Sequence, residues 1–136
     1  MTFLRLLRAW AIILPFMIAN GMFRELLLKR VVNDAVADIL SAVIGTVIVI
    51  GLTRIVLRPL AGKSTSNLVH ASVTLVVLTV AFEFLFGHYV DRASWDELLA
   101  NYEIWNGRLW PMVLATLAFM PFLWGHWSLE DNRHVR

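Results

Sequence analysis

The sequence predicts an all-α, polytopic membrane protein: an antiparallel bundle of four transmembrane helices, with one short interfacial amphipathic helix between the third and fourth spans. Three observations predict it. Hydrophobic residues occupy 59% of 136 positions, against roughly 45–50% in soluble domains, and a soluble chain this short has too little interior to bury them. Four runs of 18 or 19 residues carry few charges, close to the ~20 that cross ~30 Å of hydrocarbon. The polar residues collect in the short segments between those runs.

The runs lie at 6–23, 35–53, 68–86 and 109–127, and short linkers put all of residues 1–136 into one transmembrane domain. The first has the basic start and short apolar run of a signal peptide. No small-x-small motif follows Phe23, so a retained helix is expected, with Pro15 as a possible kink. The second carries Ala37, Ser41 and Gly45, a stripe of small residues that admits close helix packing, within the chain or between copies. The third carries Ser72, Thr79 and Glu83, which at 100° per residue share an arc of about 40° and form a polar stripe facing the bundle interior. The fourth carries Trp110, Trp124 and Trp127.

Between the third and fourth runs, "HYVDRASWDELLANYEIWNGRLW" (88–110) predicts the interfacial helix at about 95–104. Ser94 and Glu97 have capping-box spacing, and Trp95, Leu98, Leu99 and Tyr102 form one apolar stripe. A helix of this kind lies in the headgroup layer. Trp95, Tyr102, Trp105, Trp110, Trp124 and Trp127 are the expected interfacial anchors.

Arg and Lys near span ends set orientation. With the N-terminus inside, Arg5, Arg8, Arg54, Arg58, Lys63, Arg133 and Arg136 are cytoplasmic. Arg24, Lys29, Arg30, Arg92 and Arg108 are then outside. Seven against five favours N-in, C-in, by a margin small enough to permit dual topology.

Ionisable residues inside a span default to a functional role. Glu83 lies three residues before the end of the third run, ~4–5 Å from its boundary. Arg108 opens the fourth run at the same level and is the natural ion-pair partner. Arg24, Glu25 and His88 reach that level too, so Glu25, Glu83, His88, Arg24 and Arg108 form a candidate ligand- or proton-binding cluster. A static ion-pair network is the competing reading.

His70 and His126 near the opposite boundary are the one conceivable haem pair, but their spacing does not require it, and no cofactor or metal is expected. This chain has no cysteine, which excludes thiolate metal sites, disulfides and a cysteine nucleophile. The Gly-Lys-Ser at 62–64 lacks the other elements of a P-loop. A net charge of +2 gives no reason to expect nucleic acid.

The combination FGHYV (86–90), an acidic Trp-containing helix and GRLWP (107–111) resembles a pattern in small four-span bacterial inner-membrane proteins. That resemblance covers about a quarter of the chain. It implies a bacterial inner membrane and four helices, and supplies no activity or catalytic residue. In size and span number the chain is also similar to the small multidrug-resistance transporters, whose membrane carboxylate lies in the first helix. The first run here has none.

Ser94, His88 and Asp91 do not make a convincing hydrolase triad, since Ser94 serves as a cap. An enzyme acting on a lipid substrate is therefore the weakest reading. The leading expectation is a non-catalytic accessory or scaffold subunit, or a lipid-binding bundle, in a homo-oligomer or larger membrane complex. The alternative is an oligomeric small-solute or proton-coupled transporter, with a dual-topology dimer as one form, that uses Glu83.

Overall fold

The computed structural model describes residues 2–106 and 109–134. The regular elements are all helices: α1 (Phe3–Val31), α2 (Asp34–Val56), α3 (Thr65–Tyr89), α4 (Trp95–Ala100) and α5 (Trp110–His134). Three of them, α1, α2 and α3, are long and apolar enough to cross a membrane.

Local chemistry sets the helix starts. Thr2 accepts the Arg5 amide, Asn33 accepts the Val36 amide, and Ser94 and Glu97 complete a reciprocal capping box. The first helix does not stop at Phe23. It continues through a π-helical turn at Arg24–Leu28 and one more α-turn to Val31, which carries Arg24 and Glu25 into the body of the helix. Helix α4 is shorter than the sequence suggests. It ends at Ala100, and a turn and a 3-10 segment at Ile104–Asn106 follow.

Each long helix buries one stripe. On α2 the buried residues are Ala37, Ser41, Gly45, Val49 and Thr53, one every four positions. The small-residue stripe thus packs inside the chain. Its counterpart on α1 is Leu6, Ala9, Ile13 and Asn20, and α3 contributes Leu68, Ala71, Ser72 and Leu75. The outward faces remain aliphatic or aromatic: Phe16, Val43, Val47, Val73, Val77 and Phe119 are each at least half exposed. Apolar residues on both faces suit a helix with lipid on its outside.

The helices alternate in direction along the chain, but their packing order is not their sequence order. Helix α1 packs on α2 and α3, and α5 packs on the same two, so α2 and α3 face each other across the diagonal. The α2–α3 connection, a 3-10 turn at Arg58–Leu60 followed by Gly62, crosses one end of the bundle. There the Gly62 amide donates to the Gly125 carbonyl of α5 at 3.2 Å. Gly62 has φ of 71°, the left-handed region where glycine is favoured. At this end the Trp124 indole donates to Thr53, and the Arg54 guanidinium lies 5.3 Å from the Trp124 ring centre. The opposite end, closed by α4, holds the candidate site.

Candidate functional site

Four helices enclose a cavity of about 640 Å³ at the α4 end. Ile13, Val49 and Leu117 line its deep part, and Arg24, Glu25 and Asp91 line its mouth. Along α1 alone, Ile13 to Arg24 spans roughly 16 Å at 1.5 Å per residue, about half of a hydrocarbon core. Trp10, Phe82, Phe86 and Trp110 supply aromatic wall.

Glu83 faces this space from α3. Its Oε2 accepts the Tyr102 hydroxyl at 2.6 Å and the Trp110 indole N–H at 2.7 Å, and Asn101 also lines the space around it. Among the described residues these partners are all neutral. Such bonds fix a carboxylate in place without cancelling its charge. Arg108, the partner expected from sequence, lies outside the described residues.

The segment after α3 exists in this shape to bring Tyr102 over Glu83. Leu98 of α4 is 5% exposed and sits over Gly87, where an added Cβ would lie 2.5 Å from Leu98 Cδ2. A side chain at position 87 would have to displace the Leu98 methyl, so glycine lets α4 come this close. Trp95 stacks on His88 with ring centres 3.8 Å apart, and Phe84 stacks on both Trp95 and Tyr102. Burial and the adjacent Glu83 carboxylate both push the Tyr102 phenol well above its usual pKa, so it remains a donor. The indole and phenol protons that interfacial anchors would give to headgroups are spent here on Glu83. Trp124 likewise turns inward to Thr53, whereas Trp95, Trp105 and Trp127 are exposed.

The rest of the polar stripe is also internal. Ser72 donates to the Ala118 carbonyl of α5 at 2.6 Å, and the Trp10 indole donates to Thr79 at 3.1 Å. At the mouth, Arg24 lies 3.2 Å from Glu25 and 3.8 Å from Asp38, and Lys29 lies 2.9 Å from Glu25. Among the described residues the cavity lining includes the carboxylates of Glu25, Asp38, Glu83 and Asp91 and the guanidinium of Arg24, with Lys29 paired to Glu25 beside them.

His88 does not join this group, contrary to the expected cluster. Its Nδ1 is 2.9 Å from the Ala93 carbonyl oxygen, which can only accept, so the ring is committed to holding the turn that starts α4. His70 and His126 are both exposed, and among the described residues no group of three metal-ligating side chains comes together. An exposed pair on two helices is not the facing arrangement that haem ligation needs.

One residue of the site was not singled out from sequence. Asn20 of α1 is 8% exposed and lines the cavity. Its Nδ2 donates to the Ser41 carbonyl of α2 at 2.9 Å, and its Oδ1 is buried with no hydrogen-bond partner. An orphaned buried acceptor costs about 1–3 kcal/mol. The usable signal was an asparagine within an apolar run, one turn from its end.

No family model, curated protein or solved structure matches this chain.

Proposed function

We propose that the protein is a four-span membrane protein that binds a small amphipathic organic cation in the cavity at the α4 end and acts as the binding unit of a transporter. In this reading α5 is the fourth span. Its tryptophans, prolines and His126 lower its hydropathy, but Val113, Leu117, Met120 and Trp124 pack into the common core. Of the sequence-based expectations, the transporter that uses Glu83 is the one that a chamber around that carboxylate supports.

One observation carries the proposal: a 640 Å³ cavity whose inner carboxylate, Glu83, is held, among the described residues, by the neutral donors Tyr102 and Trp110. At an effective dielectric of about 20, a cation ~6 Å from one carboxylate gains roughly 3 kcal/mol. The aromatic walls add cation–π attraction and a surface for the apolar part of the ligand. Four helices are few for a complete pathway, so the working unit is a homo-oligomer. The bacterial inner membrane and the N-in orientation, with the α4 end outside, complete the reading. They rest on the FGHYV and GRLW resemblance and on the Arg and Lys distribution.

The test is calorimetric titration of the full chain in nanodiscs with benzylammonium. Binding should weaken on the order of tenfold or more in Glu83→Gln, the loss expected for one charge-assisted contact. Equal affinity in the two proteins would remove Glu83 from the site and the proposal with it.

A further inference from the structure

Between α3 and α5, at the end of the bundle away from α4, runs an open groove of about 800 Å³. It is separate from the cavity that holds Glu83. Val69 and Val73 of α3 and Phe119, Phe122 and Leu123 of α5 line it. Ser72 and Ala118 line it too, but the Ser72 hydroxyl already donates to the Ala118 carbonyl at 2.6 Å. Along α5 the lining runs from Ala118 to Trp127, roughly 13 Å at 1.5 Å per residue. That is close to the ~15 Å depth of one leaflet's hydrocarbon. An open apolar groove of this length fits an acyl chain.

The end of the groove has a different chemistry. His126 and Trp127 complete the lining there, and both are exposed, so their ring N–H groups can reach a headgroup. The Arg54 guanidinium of α2, also exposed, lies 5.9 Å from the Trp127 ring centre. Among the described residues Arg54 has no carboxylate partner. The other basic residues of this end, Arg5, Arg8, Arg58 and Lys63, belong to stretches 1–23 and 39–82, which contain no acidic residue. Every Asp and Glu of the chain lies at 25–38 or 83–103 except Glu130 and Asp131, which follow Trp127.

We infer that the α3–α5 groove binds one anionic phospholipid, with an acyl chain against Val73 and Phe119 and the phosphate at Arg54, His126 and Trp127. A zwitterionic lipid with the same chains would fill the apolar part equally well, so discrimination comes from the headgroup end. There a phosphatidylcholine would bring its own cation among those of the protein, whereas phosphatidylglycerol brings only the phosphate charge. One Arg near the membrane surface favours the anionic lipid by about fivefold.

The experiment is native mass spectrometry of the full chain in detergent micelles, titrated with dioleoylphosphatidylglycerol or dioleoylphosphatidylcholine. The variants are Arg54→Gln and Val73→Trp. Val73 is 56% exposed, so the larger side chain fills the groove and leaves the core alone. Wild type should hold one phosphatidylglycerol about fivefold more tightly than phosphatidylcholine. Arg54→Gln should bring that ratio close to one, and Val73→Trp should weaken both lipids on the order of tenfold. Equal wild-type affinities, or a ratio that survives Arg54→Gln, would overturn the headgroup assignment and the proposal with it. Unchanged binding of both lipids to Val73→Trp would overturn the groove as the site. Should Arg54→Gln fail to fold for want of its stacking on Trp124, the wild-type ratio and Val73→Trp still decide between these outcomes.

Discussion

Replacing Tyr102 by Phe removes one hydroxyl and leaves its ring, whose stacking on Phe84 at 5.9 Å does not depend on the oxygen. What is lost is the 2.6 Å bond to Glu83 Oε2. A hydrogen bond to a charged group contributes about 1.5–3 kcal/mol. Trp110 still donates to the same oxygen at 2.7 Å, and both bonds are only part-buried, so the lower end applies, about 1.5–2 kcal/mol. Neutral side-chain bonds in membrane proteins average only ~0.6 kcal/mol, so the figure depends on charge at Glu83. A double-mutant cycle isolates that dependence. In the Glu83→Gln background, Tyr102→Phe should cost about 0.5 kcal/mol, a coupling of roughly 1 kcal/mol or more. The assay is reversible unfolding in mixed micelles of increasing sodium dodecyl sulfate mole fraction. A Tyr102→Phe cost equal in both backgrounds would refute the view that α4 is fastened to α3 through the Glu83 carboxylate.

Three further outcomes are expected. Because the Tyr102 pKa is raised in the folded state, its phenol bond stabilises the fold fully below about pH 10. That contribution fades as pH rises through the folded value. Wild type and Tyr102→Phe should therefore converge in stability at strongly alkaline pH, and the difference spectrum between them should show no phenolate from Tyr102 near pH 10. At the other end of the bundle, Gly125→Ala would put a Cβ 2.6 Å from one Leu68 methyl and 2.9 Å from the other. Leu68 is fully buried, so the variant should lose about 1–3 kcal/mol, with partial recovery on adding Leu68→Val. Finally, the chain has no cysteine, so single cysteines at positions 64, 94 and 132 can be labelled in intact cells without background. Position 94 should react from outside and the other two from inside; comparable reaction of every position from both sides would replace the single orientation with dual topology.

The three most apolar helices were plain in the sequence because hydropathy over 18 residues is a bulk property that needs no tertiary information. The Ser94–Glu97 cap was also plain, being a contact between residues three apart. The stripe of Ser72, Thr79 and Glu83 was readable from helical periodicity alone. What it touches was not. Tyr102 and Trp110 have the composition of a headgroup belt, and only the fold of α4 onto Gly87 distinguishes a phenol facing lipid from one facing Glu83. Asn20 escaped notice for a similar reason: its importance depends on the gap at Gly45, on another helix. The π-turn at Arg24 had no sequence signal, since Phe23–Leu28 continues an ordinary helical pattern. The diagonal placement of α2 and α3 was equally hidden, because a short connection ordinarily joins neighbours in space.

That diagonal placement has a bearing on how the chain assembles. In a bundle of successive hairpins, each new helix completes a pair with the one before it, and half the structure is already stable when synthesis is half done. Here α2 and α3 meet chiefly through α1 on one side and α5 on the other. Until α5 has docked, Ser72 on α3 and Thr53 on α2 lack the groups they will bond, Ala118 and Trp124. The cavity lacks the wall that carries Trp110. Earlier intermediates would lack those partners for their polar side chains, so the docking of α5 is the step that completes the bundle.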